Sequence, residues 1–166
     1  MSESKKYSIL FVCLGNICRS PAAQAVMQRM VDERGLTERF FIDSAGLCGW
    51  HTGDLPDKRM RVHARPRGYE LTHRARCVRG SDFEDFNVIV GMDAANVDDL
   101  RSRAMTIEQT DKVVMMGNYI RQYPHYDHVP DPYYEGSEGF ELVLDLLEDA
   151  CENLLNRIIE QNNIEQ

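Results

Sequence analysis

No stretch of this chain is apolar for long enough to cross a membrane. Its first hydrophobic run, Tyr7 to Val12, covers six residues and follows the polar opening Met1-Ser-Glu-Ser-Lys-Lys6. That opening lacks the order of a signal peptide, so the expectation is a cytoplasmic protein with no membrane partner and a short flexible N-terminus over 1–5. Cysteine is sparse and scattered. The five positions, 13, 18, 48, 77 and 151, are odd in number and exclude a disulfide framework. Cys48-x2-His51 and His73-x3-Cys77 lack the two matched pairs of a zinc site, so neither a metal nor a cofactor is expected. Positive charge is short as well. With 19 Lys and Arg against 27 Asp and Glu, the net charge of −8 argues against nucleic acid as the main partner. Repeats and low-complexity tracts are missing too. What remains is one ordinary globular domain over residues 1–166, with 43% hydrophobic and 28% charged residues, large enough to bury a single core.

The charge is unevenly placed. Between Lys58 and Arg79 stand eight Lys or Arg and one acid, Glu70, which puts +7 on that stretch and leaves −15 on the rest. A solvated basic helix face and a surface that steers an acidic, phosphorylated substrate both fit this pattern.

Strand and helix patterns alternate along the chain. Tyr7–Val12 reads as a strand. Ser20–Arg34 reads as a helix, with Ala22, Ala23, Val26, Met27 and Met30 at helical spacing and Gly35 to end it. Residues 39–42 give a second strand, followed by a glycine-punctuated loop to Asp54. A second helix starts at Leu55 or Pro56 and breaks near Pro66-Arg-Gly68. Residues 87–90 form a third strand, Asp93 caps a helix over 94–103, and residues 112–116 make a fourth strand. A long loop, 117–136, leads to an amphipathic helix from Ser137 that carries Phe140, Val143, Leu144, Leu147, Leu154, Leu155 and Ile158. The expected fold class is α/β: a three-layer domain whose four-stranded parallel sheet has helices on both faces. Ligands of such sheets bind beyond the carboxyl ends of the strands.

The first strand ends in Val12-Cys13-Leu14-Gly15-Asn16-Ile17-Cys18-Arg19-Ser20-Pro21. A turn from strand to helix gathers successive backbone N–H groups into a cup, and the helix N-terminus adds partial positive charge. Such a cup takes a tetrahedral oxyanion, so Leu14, Gly15, Asn16, Ile17, Cys18 and Arg19 are the expected phosphate-binding residues. Cys13 sits at the floor, where these donors favour a thiolate. Gly15 gives the turn its freedom, Arg19 offers a planar fork for two phosphoryl oxygens, and Pro21 suits a first helical turn. The chemistry that follows is displacement at phosphorus through a phosphocysteine, with Cys13 as nucleophile and no metal. The leaving oxygen then needs a proton. Asp131, held between Pro130 and Pro132, is the preferred source, with Asp127 close behind on the residues alone. Leu14, Trp50, Tyr133 and Tyr134 are candidate walls of a slot for an aryl ring.

The segment Cys13–Pro21 resembles the signature of the low-molecular-weight protein tyrosine phosphatases. The resemblance continues through Asp43-Ser-Ala-Gly46, Gly91-Met-Asp93 and Val129-Pro-Asp-Pro-Tyr-Tyr134. It implies a four-stranded parallel sheet flanked by helices, a phosphate-binding loop after the first strand, and phosphotyrosine-containing proteins as substrates, with phosphate and other oxyanions as ligands. It assigns the general acid to Asp131 and gives Asn16, Ser20, Ser44 and His73 the support of the cup and its thiolate. It also implies a reversible Cys13–Cys18 disulfide that protects the nucleophile from further oxidation. Two alternatives share the cup. An arsenate reductase needs a close downstream thiol pair, which is missing here. A phosphoarginine phosphatase resembles this pattern with Thr where Ile17 stands. A non-catalytic phosphopeptide binder would have no use for Asp131.

Overall fold

The computed structural model describes residues 5–132 and 136–165. Its sheet has four parallel strands in the order β2-β1-β3-β4. These are β1 Tyr7–Cys13, β2 Phe40–Gly46, β3 Val88–Gly91 and β4 Val113–Met115. β1 is central and buried on both faces, which explains its nearly unbroken apolar sequence. Ile9, Phe11 and Cys13 face one core with α1 (Arg19–Glu33), α2 (Lys58–Ala64) and α6 (Ser137–Gln161). Leu10 and Val12 face a second core with α3 (Asp82–Asp85) and α4 (Ala94–Arg103). The register aligns Cys13 with Gly46 and Val12 with Gly91, so the carboxyl end of β1 lies between two strands that end in glycine. The α/β class, the parallel sheet and the helices on both faces agree with the expectation.

Local differences have local causes. β2 runs on to Gly46 instead of stopping at Ile42, because the polar Ser44 is buried with its hydroxyl fully engaged. α2 begins at Lys58, two or three residues late, because Asp57 is its cap and accepts from the Arg59 N–H at 2.8 Å. A short helix, α5 (Ile107–Asp111), fills a stretch that carried no helix expectation. Its signal is in the sequence, since Thr106 accepts from the Gln109 N–H in a Thr-x-x-Gln capping arrangement. The loop expected over 117–136 opens with a 3-10 turn, Met116–Tyr119.

The basic stretch is more than a solvated face. Arg67 makes ion pairs with Glu141 (2.9 Å), Asp145 (2.9 Å) and Glu148 (2.6 Å) of α6. Arg76 pairs with Asp43 (3.1 Å) and Asp82 (3.0 Å). Two of the eight cations therefore clamp elements together, which no local pattern announces.

Desolvation pushes the Asp57 carboxyl up, but hydrogen bonds from Arg59 outweigh it and hold the group below its ordinary value. The capped carboxylate thus stabilises the fold above its unfolded pKa, and that contribution is lost as pH falls through the lower folded value. Asp57→Ala is expected to lower stability at pH 7 by about 1 kcal/mol. The difference from wild type should shrink as pH falls through the acid range, read as urea midpoints at each pH.

Candidate active site

The loop from Leu14 to Cys18 joins β1 to α1 and is held from outside by its carbonyls. Leu47 donates to the Cys13 carbonyl (3.1 Å), Cys48 to Leu14 (3.0 Å) and Asp57 to Ile17 (2.6 Å). A loop committed through its carbonyls has N–H groups to offer an oxyanion. The N–H of Ser20 points at the Cys13 sulfur at 3.4 Å. Gly46 lets the loop close down: a Cβ there would stand 3.0 Å from the Asn16 nitrogen and the Gly15 carbonyl carbon. Asn16 adopts φ +56°, a left-handed conformation that Asn tolerates better than most residues.

One backbone N–H fixes the orientation of the Asn16 amide behind the sulfur. Arg76 N can only donate, and it reaches Asn16 Oδ1 at 3.0 Å. The Asn16 amide oxygen is therefore the acceptor, and His73 Nε2, also 3.0 Å from it, must carry a proton. Asn16 Nδ2 then donates to Ser20 Oγ (2.8 Å) and Ser44 Oγ (3.0 Å). Ser44 passes its own proton to Gln24 Oε1 at 2.6 Å. Ser20 Oγ lies 3.0 Å from Cys13 Sγ, and to a thiolate, which can only accept, it is the donor. Burial pushes His73 below its ordinary pKa, Asp43 opposes that and Arg76 adds to it. The neutral ring needs only its Nε2 proton for this role.

Arg19 is 3% exposed. Its Nη1 donates to Asp93 Oδ2 (2.7 Å) and to the Val129 carbonyl (3.0 Å), while Nη2 lies 3.8 Å from Asp131 Oδ2. Desolvation works against its charge, but Cys13, Asp93 and Asp131 together outweigh it and hold the guanidinium protonated. Asp93, read from sequence as the cap of α4, does cap it through Oδ1 to Asn96 N (2.9 Å). Its other oxygen holds Arg19, a link across 74 positions that carries no local signal.

A cavity of about 290 Å³ opens over the sulfur. Cys13, Leu14, Gly15, Ile17, Cys18, Arg19, Trp50 and Asp131 line it, as does His51, which sequence reasoning considered only as a metal ligand. Leu14 and Trp50 stand on the rim, the latter 79% exposed. Tyr133 and Tyr134, the other expected slot walls, lie outside the described residues. Asp127, the competing carboxylate, is 94% exposed, bonds to His128 and does not line the cavity. Cys18 is buried in the cup; burial first, then the charges of Cys13, Asp57 and Asp131, push its thiol up against the opposing pull of Arg19. Among the described residues no cluster of three or more His, Cys, Asp or Glu is arranged to hold a metal. The arrangement suits capture of a tetrahedral oxyanion over a sulfur nucleophile, with a carboxylate at the mouth.

A family model described as low molecular weight phosphotyrosine protein phosphatase matches residues 8–164. A Synechocystis relative is 45% identical over 90% of this chain and 95% of its own length. The Homo sapiens low molecular weight phosphotyrosine protein phosphatase is 34% identical over 95% of this chain and 99% of its own. Among solved structures, a protein tyrosine phosphatase from Entamoeba histolytica, crystallised with Hepes in its active site, superposes with a TM-score of 0.91. It shares 43% identity and covers 95% of this chain and 99% of that one.

Asn16 joins four segments, so Asn16→Ala is expected to open the cup. Loss of buried hydrogen bonds worth on the order of 1–3 kcal/mol should weaken inorganic phosphate binding by roughly tenfold or more. The check is titration calorimetry with phosphate, alongside the rise in melting temperature that phosphate gives each protein.

Proposed function

The chain belongs to the low molecular weight phosphotyrosine protein phosphatase family, whose members are cysteine-dependent hydrolases, and we propose how its own residues divide the reaction. Cys13 attacks phosphorus in line, forming the S–P bond as the bond to the tyrosine oxygen breaks. Arg19 and the loop N–H groups of Leu14 to Cys18 hold the equatorial oxygens. Asp131 gives its proton to the departing phenolate oxygen, then takes one from the water that attacks the phosphocysteine. Cleavage of the S–P bond releases phosphate and regenerates the thiolate, which the Ser20 hydroxyl faces at 3.0 Å. Asn16, Ser44 and His73 keep that hydroxyl aimed.

The observation that carries this reading is that the Cys13 sulfur, Arg19 and Asp131 share one cavity, with Arg19 in reach of both the cup and the carboxylate. Selectivity for phosphotyrosine follows from reach. Cys13 lies at the bottom, buried at 3% exposure, below an apolar rim of Leu14 and Trp50, and a short phosphoserine side chain spans that depth poorly. The apolar Ile17 in the wall favours an aryl ring over the guanidino group of phosphoarginine. The substrates are phosphotyrosine-containing proteins, and residues 1–166 act as one phosphatase domain. A reduced thiolate persists in the cytoplasm, which is the compartment this reading assigns.

Cys18 serves the same site in a second way. Peroxide converts the Cys13 thiolate to a sulfenic acid, and the neighbouring Cys18 thiol condenses with it, losing water and forming a disulfide. Burial keeps Cys18 protonated, so it does not compete as nucleophile.

Turnover of an aryl phosphate should vanish in Cys13→Ser while the protein stays folded and binds phosphate. Retained turnover would rule out the reading. Asp131→Ala should lower kcat/KM for phenyl phosphate by roughly 10²–10⁴-fold and far less for 4-nitrophenyl phosphate, whose leaving group needs no proton. After peroxide, thiol reductant should restore wild-type activity, while Cys18→Ser should turn over normally yet recover poorly. Mass spectrometry that finds Cys13 joined to Cys48 or Cys77 would refute the protective pair.

A further inference from the structure

Gly117 stands in the turn after β4, and what it supplies there is space, not an unusual backbone angle. The described glycines with positive φ are Gly35, Gly53 and Gly68; Gly117 is not one of them. A Cβ built on Gly117 would overlap the carbonyl carbon and oxygen of Asp127 and stand 2.8 Å from the His128 nitrogen. The obstacle is backbone, which has no rotamer by which to move aside. The chain at 127–128 is thus seated directly on the α-carbon of Gly117.

That seat lies just upstream of Asp131. One residue on, Val129 N donates to the Met92 carbonyl at 2.9 Å, and the Val129 carbonyl accepts from Arg19 Nη1 at 3.0 Å. Pro130 and Pro132 then bracket Asp131 and remove much of the remaining backbone freedom. The segment that delivers the carboxylate to the cavity is held at its root by Gly117 and at its middle by Met92 and Arg19. A displacement at 127 must either strain the two hydrogen bonds of Val129 or pass on into the position of Asp131.

We propose that Gly117 is a positioning residue for the reaction: its missing side chain sets where Asp131 meets the leaving oxygen. The inference rests on reading Asp131 as the general acid. A methyl at 117 lifts the segment and moves the carboxyl group, while Cys13 and the loop N–H groups keep their own supports and Asp93 still holds Arg19 at 2.7 Å. Proton donation suffers far more than phosphate capture.

The test compares wild type, Gly117→Ala, Asp131→Ala and the double variant, each with phenyl phosphate and 4-nitrophenyl phosphate, with inorganic phosphate as competitive inhibitor. A displacement of about an ångström can cost up to about 100-fold, so Gly117→Ala should lose of that order in kcat/KM for phenyl phosphate. The loss for 4-nitrophenyl phosphate should be much smaller, and the inhibition constant of phosphate should change far less than the rate with phenyl phosphate, because Asp93 still holds Arg19. On the Asp131→Ala background the same substitution should cost nothing further. An equal loss with both substrates, or full losses that multiply in the double variant, would reduce Gly117 to a packing residue and overturn the proposal. A different result marks failure of the underlying reading: Asp131→Ala itself losing equally with both substrates. Should Gly117→Ala not fold, His128→Gly loosens the same seat from the other side, where the replaced ring is 45% exposed. It should give the same dependence on leaving group, and wild-type kinetics from it would overturn the proposal.

Discussion

A buried guanidinium holds this site together. Arg19 is almost wholly withdrawn from water, which costs several kcal/mol unless partners replace the lost hydration. Its partners come from two distant parts of the chain: Asp93 at the start of α4 and the carbonyl of Val129. Satisfying one charge thus draws the β1–α1 loop, the end of β3 and the segment leading to Asp131 to a single point. The same side chain that lines the cavity also fixes the backbone two residues before the Asp131 carboxylate. The cup and the Asp131 segment share a support, so damage to Arg19 would reach both.

The second constraint is directional. Asn16 has one acceptor and two donors in use, and the Arg76 backbone N–H settles which is which. From that point the polarity runs outward through Ser20 to the sulfur, with a side branch through Ser44 to Gln24. A buried network of this kind stabilises only when all its members are paired. Here no described buried side-chain nitrogen or oxygen lacks a partner. His73 and Asp43 sit at its outer end, and Arg76 joins it to Asp82 beyond. A cluster of charges that looked superficial in the sequence therefore backs the cup from behind.

Much of this protein was legible in its residues. The apolar run into Cys13, the glycine in the turn and the proline opening the helix are local signals, and local stereochemistry enforces them wherever the chain goes. β1, α1, α4 and α6 fell close to their expected bounds because hydrophobic period and caps depend on neighbours a few positions away. β2 extends past its apolar residues, since Ser44 looks like a loop residue in the sequence and is held in the strand by distant hydrogen-bond partners. α5 carries its capping signal in Thr106 and Gln109, but its five residues are too few to show a hydrophobic period.

Other features were decided only when the chain folded. That Asp93 would hold Arg19, that His51 would line the cavity, and that Arg67 would bind three carboxylates of α6 depend on pairs separated by tens of residues. Asp131, already preferred in the sequence, lines the cavity, and Asp127 does not. Folding also decided the crossing of residues 127–128 over Gly117, where a glycine that reads as ordinary loop punctuation turns out to be a seat. Residue types and short spacings determine which chemistry a segment can offer. Which segments meet is set by burial of the two cores and by the pairing demands of buried charges, and those act across the whole chain at once.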